Sequence, residues 1–344
     1  MGFIQEQLVF RGKGRIFLTL LLVLLVMASC GTKPPDVDHV KVDFKLVPFY
    51  EDLFSINPDS LAKETPRLVN HYGPFFEAYS MRVIGAGSPN EEGFEDKMKL
   101  FLEYPPNREV LDSCRKTFAN LDPLRKEINK GFQYYRYYFP EKPIPDVYLH
   151  ISGFNQSILV DSSWVSVSIE KYLGKDCIFY EWLTIPVYLR QKMTPEKVAP
   201  DILKAIAMTE FVYNDSVDNL MTQMVYQGTI QYFLKQLTPL LPDELLLDFT
   251  PEQMAWCQQY EATMWSSIVE RKHLFNNDRM VIQKYVGESP FSYYFGQDSP
   301  GRTGIFIGYR IVESFMERNP RVTLKELMSI RDYNSIFSRA AYRP

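Results

Sequence analysis

The sequence has few of the residues that bind catalytic metals. It contains four histidines and four cysteines among 344 residues, and no histidine lies between His150 and His273. No two histidines have the spacing of metal ligands, and the cysteines form no CxxC pair, so the common zinc patterns are absent. The GxSxG elbow of serine hydrolases is absent as well. We therefore expect neither a metal nor a cofactor in this protein.

The chain also lacks a surplus of positive charge and a second long apolar run. Residues 1–29 contain three basic residues and one acidic residue, so the chain from Cys30 onward has 35 basic and 41 acidic side chains, a formal net charge of −6. This balance argues against nucleic acid as a partner, because phosphate binding requires clustered cations. After residue 29, no stretch is apolar enough to cross a membrane.

The N-terminus has the pattern of a bacterial lipoprotein signal. Three basic residues precede the apolar run Ile16–Met27, and Ala28 and Ser29 lead directly to Cys30. Twelve apolar residues are too few to span a bilayer core of about 30 Å. We interpret residues 1–29 as a signal peptide and Cys30 as the residue that receives the lipid. The alternatives are an uncleaved anchor and a secreted protein with a chance cysteine.

The rest of the chain divides into a short tether and a globular part. Residues 30–44 contain two prolines and scattered charges, a composition typical of a linker. Aromatic residues become frequent soon afterwards, and no repeat or low-complexity tract follows. We therefore predict a tether over residues 30–44 and a single globular domain over residues 45–344.

Most of this domain has helical patterns. Leu111, Cys114 and Phe118 recur at spacings of three and four, which is typical of an amphipathic helix. Capping-box patterns at Thr250 and Thr323 mark two further helix starts.

Near the middle of the chain the apolar period changes to two. This period predicts strands at Val147–Ile151, Ser157–Val160 and Trp164–Ile169, joined as an antiparallel meander. Serines alternate with apolar residues in the third segment, so we expect one face of that strand to contact solvent. The predicted fold class is α+β, dominated by helices, with one small antiparallel sheet.

Four segments and the C-terminus together resemble the gliding-motility lipoprotein family GldB of Bacteroidota. The resemblance extends over most of the chain after Cys30. It depends on the order and spacing of these segments: DCIFYEWLTIPVY (176–188), LMTQMVYQGTIQYFLKQLTP (220–239), QMAWCQQYEATMW (253–265), SPGRTGIFIGYRIVESFM (299–316) and the closing YRP (342–344).

The GldB family in turn is similar to predicted zinc peptidases with a zincin-like fold. In those relatives, the helix after the strands has the sequence HExxH and a later helix supplies an acidic third ligand. Here the corresponding helix reads AIAMTEFV (205–212), and the later helix has Tyr226 and Gln227 where a carboxylate is required. The resemblance therefore implies a zincin-like scaffold without its metal, which is not an enzyme.

Two glutamates and a tryptophan are candidate cleft residues, together with Tyr226 and Gln227 of the later helix. Glu210 lies where a peptidase has its catalytic helix, although an ordinary helix glutamate that pairs with a neighbour explains it equally well. Glu261 and Trp265 lie one turn apart, a spacing that suits a sugar-binding cleft, although core packing also accounts for the tryptophan.

Arg302 is the last candidate residue. It follows Ser-Pro-Gly just before a predicted helix, where free N–H groups attract phosphate or carboxylate. A plain loop-to-helix entry is the alternative. Gly304 and Gly308 lie four residues apart on that helix and predict close packing against another helix.

Together these features predict a noncatalytic, lipid-anchored envelope protein. The resemblance implies a scaffold or binding role in the gliding or associated secretion machinery, with the membrane and an envelope protein as partners. Surface-exposed lipoproteins of this phylum tend to have acidic residues directly after the lipidated cysteine. Here the first acid is Asp36, which favours a periplasm-facing protein. The alternatives are a hydrolase that uses Glu210 and Glu261, and a glycan-binding protein.

Overall fold

The computed structural model describes residues 33–344, so the predicted signal peptide and Cys30 lie outside the described residues. Within this range, no helix is both long and apolar enough to cross a membrane.

A four-stranded mixed sheet lies at the centre of the described chain. Its strands are β1 (Leu46–Val47), β2 (Asp146–His150), β3 (Ile158–Val160) and β4 (Trp164–Ser168), in the order β1-β2-β4-β3. β2 is parallel to both β1 and β4, whereas β3 is antiparallel to β4. The three predicted strands are confirmed. The all-antiparallel meander is wrong, because β4 inserts between β2 and β3 instead of following β3 outward.

A buried carboxylate binds the loop between β2 and β3. The backbone N–H groups of Ser152 and Phe154 both donate to Oε1 of Glu170, at 2.7 and 3.1 Å. These bonds tie the loop after β2 to the segment that directly follows β4. The prediction that one face of β4 contacts solvent is also wrong. Ser166 and Ser168 are fully buried, and Ser168 donates a hydrogen bond to Ser152.

One group of helices lies between β1 and β2, and helices form most of the chain after β4. The first group is α1 (Phe49–Ser55), α2 (Leu61–Tyr72), α3 (Pro74–Ala78), α4 (Phe94–Glu103), α5 (Pro105–Thr117) and α6 (Asp122–Tyr138). A π-helical turn, Tyr79–Val83, directly follows α3. The amphipathic pattern that includes Leu111 and Cys114 is confirmed, because both side chains are buried on α5.

The second group of helices includes the two longest apolar helices. It comprises α7 (Ile178–Trp182), α8 (Val187–Arg190), α9 (Val198–Glu210), α10 (Leu220–Leu237), α11 (Asp243–Leu247), α12 (Pro251–Gln259), α13 (Glu261–Glu270), α14 (Arg279–Val286), α15 (Thr303–Arg318), α16 (Leu324–Ser329) and α17 (Tyr333–Ala340). The capping boxes at Thr250 and Thr323 are confirmed.

Helices α10 and α15 cross with their backbones in contact. A Cβ atom on Gly308 would lie 1.8 Å from the carbonyl oxygen of Met224, and one on Gly228 would lie 2.2 Å from the carbonyl oxygen of Gly308. The close packing predicted from Gly304 and Gly308 is therefore confirmed, although with two different helices. Gly308 meets α10 near Gly228 of the YQG segment, whereas a Cβ on Gly304 would lie 3.0 Å from Tyr285 of α14.

The compact unit begins earlier than predicted. It runs from Val37 to Pro344 rather than from residue 45. Val37 is fully buried, and Gln133 of α6 donates a hydrogen bond to the carbonyl oxygen of Val40. Much of the expected tether thus packs on the globular unit.

Candidate functional site

A cleft of about 770 Å³ opens beside the short edge strand β3. One wall is the loop between β2 and β3, the opposite wall is the segment that contains α7 and α8, and α9 forms the base. The residues that line it are Phe154, Asn155, Gln156, Ser157, Ile158, Lys171, Tyr172, Leu183, Thr184, Ile185, Pro186, Leu189, Lys192, Met193, Asp201, Lys204, Ala205, Met208, Asp248 and Glu288. Clefts of this size accommodate small molecules or short peptide segments.

The wall formed by α7 and α8 exposes several large apolar side chains. Trp182 is 64% exposed, Val187 is 68% exposed, and Ile178 and Leu183 are each nearly half exposed. Single exposed apolar residues are normal on protein surfaces, but a group within ten residues at the rim of a cleft is typical of an interaction site.

The loop that forms the opposite wall is held from both sides. Glu170 binds its backbone N–H groups, as described above. Lys171 donates hydrogen bonds to the carbonyl oxygen of Asn155 and to Oγ of Ser157, each at 3.0 Å. Because these contacts fix the loop, the cleft has one wall whose position is set before any ligand binds.

The floor of the cleft contains a carboxylate that is surrounded by cations. Asp248 accepts Arg302 at 2.6 Å on Oδ2 and Lys197 at 2.6 Å on Oδ1, and Lys204 lies 3.4 Å from Oδ2. The side chains of Asp248 and Lys197 are 4% and 2% exposed. Lys197 also lies 3.2 Å from Asp201, so the cluster is a network rather than a set of separate pairs.

These contacts determine the protonation states on the floor. Burial alone would raise the pKa of Asp248, but Lys204, Lys197 and Arg302 together hold it well below its usual value of 3.8. Burial also lowers the pKa of Lys204. Asp248 is therefore ionised and fully engaged, so it is unsuited to act as a general base, which must be free to accept a proton.

Backbone geometry brings the two central partners together. Asp248 ends α11 with a φ of 63°, and Arg302 precedes α15 with a φ of 60°. This left-handed region is unfavourable for residues other than glycine and persists where surrounding contacts stabilise it. The ion pair between the two side chains supplies such a contact.

Of the six candidate residues, Arg302 comes nearest to this cleft, because it supports the floor through Asp248. Its expected anion is thus a carboxylate of the same chain. Glu210 lies at the end of α9 outside the lining. It accepts a hydrogen bond from Tyr135 at 2.7 Å and lies 3.2 Å from Lys142. These contacts fit the alternative interpretation, in which Glu210 is an ordinary helix glutamate that pairs with neighbouring side chains.

The other four candidates belong to a different part of the molecule. Glu261 accepts hydrogen bonds from Arg310 at 3.0 Å and from Tyr342 at 2.7 Å, and the Trp265 ring packs edge-on against Tyr342. Tyr226 is buried beside other tyrosines, with burial raising its pKa to about 12, and Gln227 lies next to it on α10. Neither Glu210 nor Glu261 lines the cleft, and the residues that contact Glu210 are different from those that contact Glu261.

Sequence reasoning missed the lysines and the aspartate that form the floor. Lys197 and Asp201 are four residues apart on one helix, a spacing that indicates an ion pair but not its burial. Asp248 has no local signal, because its partners lie on distant segments. Among residues 33–344, no three histidine, cysteine, aspartate or glutamate side chains come together as a potential metal site.

Comparison with known proteins gives one result. The family model described as "Gliding motility protein GldB" matches residues 31–344. No curated protein and no solved structure matches the chain, so the zincin-like arrangement remains a prediction. The match extends over nearly all of the chain and includes every element that forms the cleft. On this basis, the protein belongs to the GldB family of gliding-motility proteins.

Proposed function

We propose that this protein is a noncatalytic envelope lipoprotein, anchored through Cys30 and facing the periplasm, whose cleft binds a segment of another envelope protein of the gliding or associated secretion machinery. The observation that carries the proposal is the floor of the cleft. Its buried carboxylate is occupied by three cations, so the site offers shape and charge rather than a free base.

The walls support binding of an extended segment. Among residues 33–344, β3 has a neighbouring strand on one side only, and its first residue, Ile158, lines the cleft together with the preceding Ser157. The unpaired edge of a strand can accept an added strand through backbone hydrogen bonds, while apolar side chains enter adjoining pockets. Leu183 provides an apolar contact in the cleft, and the exposed Trp182 directly precedes it on the same wall.

The arrangement of the glutamates gives no support to the hydrolase alternative. A glycosidase requires two carboxyl groups that flank one cleft, about 5–10 Å apart. Glu210 contacts Tyr135 and Lys142, whereas Glu261 contacts Arg310 and Tyr342. Each carboxylate is thus engaged in its own structural contacts.

Acylation of Cys30 is tested with Cys30→Ala. The full-length wild type should incorporate a clickable palmitate analogue in cells and sediment with membranes, because acyl chains contribute about 0.8 kcal/mol per buried CH₂. The variant should incorporate none and move to the soluble fraction. Cys177→Ala, which changes a cysteine inside the folded unit, is the matched control and should label normally. Acylation that persists in Cys30→Ala would contradict the anchor.

The binding role is tested by complementation of a deletion strain, with motility as the readout. Leu183→Arg should abolish complementation at normal protein levels, because it places a charge on the apolar rim. Leu100→Arg is the matched control, because Leu100 is 71% exposed on α4 and is not among the residues that line the cleft. Glu210→Gln should complement fully. If Leu183→Arg complements as well as the wild type at equal protein levels, the proposed binding role of the cleft is wrong.

A further inference from the structure

A second surface combines exposed apolar side chains with cations. It lies on α14 and on the loops at each end of that helix. Phe275, Met280 and Tyr293 are 62%, 69% and 62% exposed. Around them are Arg271, Lys272, Arg279 and Lys284, and we call these seven residues the distal patch.

The cations of the distal patch have no acidic partner. Among residues 33–344, no carboxylate lies within 4.0 Å of these four side chains, whereas many other lysines and arginines form ion pairs. Lys284 lies instead 4.1 Å from the centre of the Tyr293 ring. The nearby Asp278 accepts the backbone N–H of Met280 and thereby caps α14. The patch is therefore positive on a chain whose net charge is negative.

An aromatic cluster holds the two loops of the patch together. The His273 and Tyr294 rings are 4.8 Å apart, and Tyr285 and Tyr294 stack at 4.9 Å. His273 also forms a 2.9 Å hydrogen bond with the hydroxyl of Tyr285. Because the cluster underneath is ordered, the exposed Phe275 and Tyr293 are presented on a fixed base, which lowers the entropic cost of binding.

The two ends of α10 lie near different features. The distal patch adjoins its N-terminal end, whereas the segment near Asp38, where the chain enters the compact unit, lies near its C-terminal end. The backbone N–H groups of Leu220 and Met221, which begin α10, donate to the carbonyl oxygens of Asn276 and Leu274. The last residue of α10, Leu237, lines a small cavity together with Lys130, and Lys130 pairs with Asp38 at 2.7 Å. Because α10 has 18 residues and is about 27 Å long, its two ends, and hence the distal patch and the segment near Asp38, are well separated.

We propose that the distal patch binds an acidic, partly apolar segment of a second envelope protein. Tyrosine, phenylalanine, methionine and arginine are enriched in protein interfaces, and unpaired cations select a negative partner. A bilayer is the less favoured occupant. The chain enters the compact unit near the opposite end of α10, so an anchor at Cys30 would not by itself bring the distal patch to a bilayer. This is the one step that rests on the proposed anchoring.

The test places a photo-crosslinking amino acid at position 275 of the full-length protein in the native host, with position 100 as the exposed control. We expect a discrete protein adduct at 275 and none at 100. Mass spectrometry of the adduct should map the contact to a segment rich in aspartate or glutamate. Lys284→Glu combined with Arg279→Glu should reduce the adduct about tenfold without lowering the melting temperature, because neither side chain forms an ion pair.

Each other outcome overturns the inference. These are adducts to lipid or glycan, a contact segment that is neutral or basic, an adduct that the charge reversals leave unchanged, and the absence of any adduct. The acylation and complementation results are read independently. An acidic protein adduct would therefore stand even if Cys30 proved unmodified or Leu183→Arg proved active.

Discussion

Gly308→Ala is expected to lower the free energy of unfolding by about 3 kcal/mol, a large loss for the addition of one methyl group. The new Cβ would lie 1.8 Å from the carbonyl oxygen of Met224, and its next-nearest atoms are also backbone. Backbone cannot rotate away as a side chain can, so α10 and α15 must separate. Urea unfolding followed by circular dichroism measures the loss.

Gly131→Ala is the matched control for this substitution. Gly131 is also a buried helix glycine, but its added Cβ would meet the end of the Leu203 side chain, with Cδ1 at 2.7 Å. That group can change rotamer, and alanine favours a helix over glycine by about 1 kcal/mol. We expect a change near zero. Equal losses for the two variants would show that the close crossing is not what makes Gly308 necessary.

Asp248→Asn is expected to cost about 3–5 kcal/mol, because it leaves buried cations without their counter-charge. Lys197 and Arg302 have side chains that are 2% and 9% exposed, so water cannot replace the lost carboxylate. Asparagine tolerates the left-handed backbone, so the substitution isolates the charge. Asp59→Asn is the control. Its pair with Lys99 is exposed, and its loss should be about 0.5 kcal/mol or less.

The stability difference between the wild type and Asp248→Asn should depend on pH. The pKa of Asp248 is lower in the folded than in the unfolded protein. Its stabilisation is therefore complete above the unfolded pKa of about 3.9 and declines as the pH falls further. The stability difference between wild type and Asp248→Asn should be constant near neutral pH and narrow below about pH 4. A difference that stays constant down to pH 2 would contradict a buried, ionised Asp248.

The sequence predicted the helices better than the sheet, for a physical reason. Helix signals such as the capping box at Thr250 are formed by residues three or four apart. The pairing of β2 with β4 instead joins residues 18 apart, such as Val147 and Val165. Glu170 binds the N–H groups of Ser152 and Phe154 from 18 and 16 residues away. Burial of both faces of β4 likewise depends on elements distant in sequence, so alternation alone gave the wrong prediction for Ser166 and Ser168.

The cleft was partly foreseen through Arg302 and otherwise missed. The loop before α15 was a candidate anion-binding site, with a plain loop-to-helix entry as the alternative, and in the structure Arg302 pairs with a carboxylate of the same chain. That anion proved to be Asp248, which is 54 residues away along the chain. Lysine is usually a solvated surface residue, so no rule that uses composition or spacing would place Lys197 among the least exposed side chains of the molecule.

The crossing of α10 and α15 has a mechanical consequence. At Gly228 and Gly308, no side-chain layer separates the two helices, so there is little compressible material between them. One end of α10 lies near the segment that contains Asp38, and the other end is bonded to the loop at Leu274 and Asn276. A pulling force applied at one end of α10 would therefore reach the other end through two helices that pack directly against each other and deform little.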